Sequence, residues 1–254
     1  MPGLAHDYLF EPFKQLADKY KLIFYDQRGC GRSAEFNAKD SVTINDMVDD
    51  LEGIRQAFKI EKMNLIGQSW GAIISINYLI KYADNAKKLL LLEPGFGSTE
   101  YIKDFQNTLM ERLSQHDKEK LVQLSQNPGL RSDPILFQEF INIRYKAYSR
   151  DSLFVQKMHT DYFDSLRVKK FFASSAAFSP YLMNFNIYQE MQNINCPTLI
   201  IHGEFDPIPT VSIERMAAAI PRSELHVIKD CGHFVHIEKP EVYFGLIRAF
   251  LNKN

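Results

Sequence analysis

The chain has 254 residues, of which 45% are hydrophobic, 24% charged and 13% aromatic, enough apolar material for a sizeable core and far from disordered or collagen-like compositions. Thirty basic against 31 acidic residues leave a formal net charge of -1; this offers no electrostatic footprint for nucleic acid or an anionic membrane, and leaves a small molecule or short peptide as the expected partner. The longest apolar runs are strand-sized against the roughly 18 residues of a membrane span, and no secretory signal is visible at the start.

In chain order, apolar residues at Tyr8, Leu9, Phe13, Leu16 and Ala17 recur at helical spacing and predict a helix over residues 6–20. Residues 21–25 form a short apolar run ended by Asp26 and a glycine-containing turn, which suits a buried parallel strand. A second amphipathic helix is expected over 45–58, a strand over 63–66, a mostly apolar helix over 72–81 and a buried strand over 88–92. This alternation predicts a mostly parallel sheet with helices on both faces.

The alternation then stops. From about residue 95 to 192 only helical segments are expected, over 101–125, 134–149 and 152–172, separated by Asn127-Pro128-Gly129 and Ser132-Asp133-Pro134. It resumes with a strand over 197–202, a helix over 210–220, a strand over 224–228 and a final helix over 241–252. The expected organisation is therefore a discontinuous sheet domain, residues 1–94 and 193–254, carrying a helical cap over 95–192. Cys30, Cys196 and Cys231 are an odd number with no zinc-type pair; they read as reduced thiols, which suits a reducing compartment and makes a cytoplasmic location the expectation.

The segment Gly67-Gln68-Ser69-Trp70-Gly71 falls between a predicted strand and a predicted helix. A tight strand-to-helix turn around a strained serine needs small neighbours, and it presents the hydroxyl above the sheet's carboxyl edge. The start of the helix supplies a backbone N–H, that of Trp70, toward a developing oxyanion. A serine hydroxyl is a weak nucleophile until a histidine takes its proton and a carboxylate orients that histidine. His233, behind Gly232 in the loop after the last strand, is the expected base, with His236 as its rival. Asp206 follows the strand that ends at His202, and Glu204 and Glu93 are alternatives for the acid.

The run Asp26-Gln27-Arg28-Gly29-Cys30-Gly31-Arg32-Ser33, together with the Ser69 turn, His202-Gly203-Glu204-Phe205-Asp206 and Gly232-His233-Phe234-Val235-His236, resembles the proline iminopeptidases and their relatives in the α/β-hydrolase superfamily. The resemblance implies an α/β-hydrolase fold and a serine peptidase or related hydrolase that needs no metal or other cofactor. It selects Asp206 as the acid and implies a helical cap shaping a pocket for a small substrate. An aminopeptidase releasing N-terminal proline or another small residue is the first expectation, with a carboxylesterase on small acyl esters or a non-catalytic ligand-binding protein as alternatives. The Asp26 to Ser33 loop reads as structural, with Asp26 and Arg28 pairing to pin it, and the Trp70 indole as packing.

Two departures from the resembled pattern bear on function. Relatives that remove proline hold the substrate's amine on acidic cap residues in a tryptophan context, whereas this cap has no tryptophan; Glu93 and Glu139 are the substrate-binding candidates. Relatives also carry a His-Gly-Gly-Pro-Gly loop after the third strand, and Met1-Pro2-Gly3 resembles its tail. The expectation is that the first strands and most of that loop are missing, so that the 254-residue form is inactive or unstable and a longer form is the enzyme.

Overall fold

The computed structural model of the protein describes residues 2–36, 42–151 and 163–253. Four strands, β1 (Met63–Gln68), β2 (Ala86–Leu92), β3 (Thr198–Gly203) and β4 (Ser223–Ile228), pair in parallel in the order β1-β2-β3-β4. β2 and β3 are apolar on both faces because both faces are covered. Leu89 and Leu91 point into one cluster and Leu90 and Leu92 into another, as Ile200 does opposite Leu199 and Ile201.

The first cluster is closed by helices α2 (Ile44–Ala57), α3 (Trp70–Lys81) and, further along the chain, the helix Thr210–Ala219. The second is closed by the C-terminal helix Pro240–Asn252 and by Phe13 and Leu16 near the start of the chain. Lys88 of β2 is buried, and its ammonium caps the carbonyls of Phe250 and Leu251 at 3.0 and 2.9 Å, which satisfies the end of that last helix.

The expected first helix is shorter than residues 6–20. α1 spans Asp7–Phe13 and tightens into a 3-10 turn, Lys14–Asp18. Residues 21–27 join no helix and no ladder among the described residues, so the strand expected over 21–25 is not formed as a paired strand. An apolar run has the composition of a strand, whereas a ladder needs a neighbour's N–H and C=O groups. β1 accordingly lies at one end of the four-stranded sheet.

Between β2 and β3 the chain forms α4 (Ile102–Arg112), α5 (Gln115–Gln126), α6 (Pro134–Lys146) and α7 (Ser165–Leu182). The single helix expected over 101–125 is broken at Leu113, because Ser114 caps a new helix by accepting from the Asp117 N–H at 3.1 Å. Asp133 and Asp164 cap α6 and α7 in the same way. The helix expected over 152–172 falls partly on residues 152–162, outside the described residues; α7 begins at Ser165 and continues past the expected end.

A third apolar cluster, including Leu109, Phe137, Ile141, Val168 and Phe171, holds α4, α6 and α7 together, while Phe178 of α7 packs into the sheet cluster against Trp70. After α7 come α8 (Thr210–Ala219), the short α9 (Val235–Glu238) and α10 (Pro240–Asn252). Cys30, Cys196 and Cys231 are each free and buried. No helix among the described residues is long and apolar enough to cross a membrane.

Candidate active site

Ser69 sits between β1 and α3 at φ 53°, ψ -113°, a conformation that costs a non-glycine residue on the order of 1–3 kcal/mol and persists only where its surroundings enforce it. The enforcing contacts are backbone ones. The Ser69 N–H donates to the Leu92 carbonyl at 3.0 Å, and its carbonyl accepts from Ala72 and Gly95 at 3.1 and 3.2 Å. The turn is so tight that a Cβ on Gly67 would meet the Gly71 carbonyl oxygen at 2.4 Å, whereas a Cβ on Gly71 would meet nothing within 4 Å. Of the two glycines flanking the serine, only Gly67 is required for space. Trp70 is the first residue of α3, so its N–H is one of those a helix leaves without an internal partner.

The loops after β3 and β4 bring the other two groups in. His233 Nε2 lies 3.0 Å from Ser69 Oγ, and His233 Nδ1 lies 2.6 Å from Asp206 Oδ2. A carboxylate only accepts, so the proton is on Nδ1 and Nε2 faces the hydroxyl with its lone pair. Asp206 is itself held: its Oδ1 accepts from the Ile208 N–H at 2.9 Å and its own N–H donates to the Gly203 carbonyl at 3.0 Å. The rival base, His236, is buried and meets no hydrogen-bond partner among the described residues. Glu204, the neighbouring rival acid, is exposed and accepts from the Asp230 N–H.

Behind this line burial disfavours charge. Burial pushes the His202 imidazole below the usual histidine range, with its Nδ1 3.6 Å from Asp206 Oδ2, beyond hydrogen-bond reach. Burial, reinforced by the Asp206 charge, pushes the Glu93 carboxyl well above the usual carboxylate range. Glu93 is fully buried at φ 40°, and its Oε2 lies 3.4 Å from Gln68 Nε2, whose Oε1 in turn accepts from the Tyr8 hydroxyl at 2.7 Å.

Ser69 and His233 open onto a cavity of about 440 Å³ lined both by cap residues such as Phe105 and Tyr148 and by Ile23, Phe24 and Tyr25. Ile23, Leu65, Trp70, Phe96, Phe105 and Phe185 form much of its wall, and no carboxylate lines it among the described residues. The structure does not bring either substrate-binding candidate to it. Glu93 is sealed behind the sheet edge, where no ammonium group reaches it. Glu139 lies on the outer side of α6, half-exposed and paired with Lys120 at 3.1 Å; an acidic residue on a cap helix is satisfied there by the neighbouring α5.

The Asp26 to Ser33 loop is structural in its contacts, but its pairing differs from the expected one. Arg28 binds Asp50 of α2 in a bidentate pair, both contacts at 2.6 Å, while Asp26 accepts from the His6 and Arg32 N–H groups at 3.1 and 2.8 Å. The Trp70 indole packs on Phe178 and also donates to Gln27 Oε1 at 3.0 Å.

This fold and site geometry have counterparts among known proteins. The sequence model of the alpha/beta hydrolase fold matches residues 1–240. The chain belongs to the α/β-hydrolase family. It is 27% identical over 260 aligned positions to a proline iminopeptidase of Thermoplasma volcanium, which covers all of this chain and 86% of that relative. Among solved structures, the proline iminopeptidase of Mycobacterium smegmatis superimposes with a TM-score of 0.69 at 20% identity, over 98% of this chain and 85% of that one. A thermophilic esterase from Thermogutta terrifontis superimposes with a TM-score of 0.70 at 24% identity, over 98% and 85%. The α/β-hydrolase fold is thus common to proteins named for peptide and for ester substrates.

Two features of the site carry no signal in the sequence. Tyr148, at the end of the cap's α6 region, places its ring 5.3 Å from the His233 ring, and its carbonyl accepts the His233 N–H at 2.8 Å. Arg112, the last residue of α4, reaches back to the loop that carries Asp206. Both act on backbone atoms, which any residue type provides.

Proposed function

We propose that this α/β-hydrolase is a serine hydrolase working through an acyl-enzyme on Ser69, with His233 as base, Asp206 as its orienter and the Trp70 N–H as one oxyanion donor. The observation that carries the reading is the unbroken line Asp206–His233–Ser69, at 2.6 and 3.0 Å, ending on a strained serine that faces a cavity. In the first half-reaction Ser69 Oγ bonds to the substrate's carbonyl carbon as its proton passes to His233 Nε2, and the carbonyl oxygen becomes an oxyanion. The same proton then passes to the leaving oxygen or nitrogen as its bond to carbon breaks. Water repeats the sequence to free the acid. Removal of one oxyanion donor from such a site costs on the order of 10²–10³ in rate.

The substrate reading follows from the wall of the cavity. An apolar lining with no carboxylate among the described residues suits an uncharged acyl group of modest size, as in a small carboxylic ester. The likeness over the whole chain to proteins named proline iminopeptidase favours a second reading, release of a small N-terminal residue from a peptide. Fluorophosphonate labelling tests the enzyme reading: the protein is expected to label and S69A to lose the label. A folded protein that neither labels nor turns over substrate is a binder instead. Comparing p-nitrophenyl butyrate with proline p-nitroanilide then separates the substrates, and a kcat/KM in favour of the anilide overturns the ester reading.

A further inference from the structure

The cap does more in this structure than roof the cavity. The guanidinium of Arg112, at the C-terminal end of α4, donates through Nη1 to the Phe205 carbonyl at 2.6 Å and to the Ala147 carbonyl at 3.1 Å, and lies 3.7 Å from the centre of the Phe205 ring. Phe205 precedes Asp206, and Ala147 precedes Tyr148, whose carbonyl receives the His233 N–H at 2.8 Å. One cationic side chain therefore ties together the loop of the acid and the cap residue that holds the base.

The backbones around this clamp are in direct contact. A Cβ on Gly203 would meet the Gly232 oxygen at 2.1 Å, and a Cβ on Gly232 would meet the Tyr148 oxygen at 2.0 Å. The Phe205 N–H also donates to the Cys231 carbonyl at 2.8 Å. The acid loop, the base loop and the cap end are thus stacked with no side chain between them. Hydrogen bonds from a charged donor are the strong ones, and a planar guanidinium also stacks on an aromatic face, as Arg112 does on Phe205, which a compact ammonium does not.

We propose that Arg112 is a positioning residue for the triad: by clamping the Phe205 and Ala147 carbonyls it sets the distance between Asp206 and His233 and couples the seating of the cap to the competence of the site. The proposal rests on the serine-hydrolase reading above. It does not place Arg112 in contact with substrate, since it is absent from the lining of the Ser69 cavity. Arg150 approaches the same Phe205 ring only at 5.7 Å and pairs with the exposed Asp230; it makes a control of the same charge.

The test uses the full chain and four proteins: wild type, R112A, R112K and R150A. Each is checked by circular dichroism, then by fluorophosphonate labelling and ester kinetics. R112A is expected to lose kcat on the order of 10- to 100-fold, the loss that a misplaced catalytic group brings, while KM stays within about threefold. Millimolar guanidinium chloride is expected to restore part of that kcat, which a merely structural defect would not allow. R112K keeps the charge but not the planar group stacked on the Phe205 ring, and its kcat is expected to fall at least about fivefold with KM held; it decides the matter where R112A fails to fold. R150A is expected to match wild type. Undiminished kcat in a folded R112K beside an active wild type overturns the role of Arg112 alone, whereas a folded wild type that does not label overturns the triad reading beneath it.

Discussion

Acid is expected to destabilise this protein through a histidine that takes no part in the proposed chemistry. His236 lies in α9, 3% exposed, with the rings of Tyr8, Phe234 and Tyr243 centred 6.4, 6.0 and 6.0 Å away, and neither nitrogen has a partner among the described residues. Burial, with repulsion from His233, pushes its pKa down to about 3, against about 6.5 in an unfolded chain. Between those values the unfolded state holds a proton that the folded state lacks, so stability rises with pH and is lost as pH falls through about 6.5. At about 1.4 kcal/mol per pH unit, a drop from pH 7 to pH 5 removes about 2 kcal/mol, once the incomplete titration near the unfolded pKa is allowed for. His202 contributes in the same direction, so the His236 share must be isolated by difference. Urea unfolding of wild type and His236→Phe at several pH values between these limits does so. The two stability curves are expected to converge or cross by about 2 kcal/mol toward acid, and curves that stay parallel refute the reasoning.

Glu93→Gln tests the opposite sign. A buried carboxyl held protonated in the fold but ionised in the unfolded chain costs stability as pH rises above the unfolded value of about 4.3; the amide, which cannot ionise, is expected to raise the urea midpoint at neutral pH by a margin that grows with pH. A margin that stays constant as pH rises above that value would mean that Glu93 is charged in the fold. Gly67→Ala is expected to lower stability by about 1–3 kcal/mol and to abolish labelling, because the contact at 2.4 Å is with the Gly71 backbone oxygen, which has no rotamer to give. Gly71→Ala, whose Cβ meets nothing within 4 Å, is the comparison, and thermal melting with fluorophosphonate labelling reads both.

What was legible in the sequence was what local chemistry decides. Leu89 to Leu92, apolar at every position, had to be a strand covered on both sides, and Gly67 before Ser69 had to be a tight turn between strand and helix. The break at Leu113 was not legible, although its cause is local, the Ser114 side chain capping a new helix through the Asp117 N–H. Properties that depend on a distant neighbour were not legible. Residues 21–25 have a strand's composition without a ladder, Arg28 finds Asp50 rather than Asp26, and Glu93 stands at the carboxyl edge of the sheet yet turns inward. The contacts of Arg112 and Tyr148 were not legible because they run through main-chain atoms, Arg112 donating to the Phe205 and Ala147 carbonyls and the Tyr148 carbonyl accepting the His233 N–H, and main-chain atoms have no signature in a sequence.

In the proposed triad, the buried histidines and the buried glutamate would leave one carboxylate to serve His233 without competition. Asp206 is flanked by His202 and Glu93, two groups that burial drives toward their neutral forms from opposite sides: the imidazole loses its proton and the carboxyl keeps one. Were His202 charged, it would draw the Asp206 carboxylate away from His233 Nδ1 across the 3.6 Å that now separates them. Were Glu93 charged, two like charges would share a low-dielectric site, and one would have to be discharged. Desolvation therefore leaves the acid loop with a single orienting anion, and the geometry at 2.6 Å between Asp206 and His233 is the form that anion takes. The same burial makes the fold sensitive to pH on both sides: acid charges His202 and His236, base charges Glu93, and each event costs stability around the proposed triad.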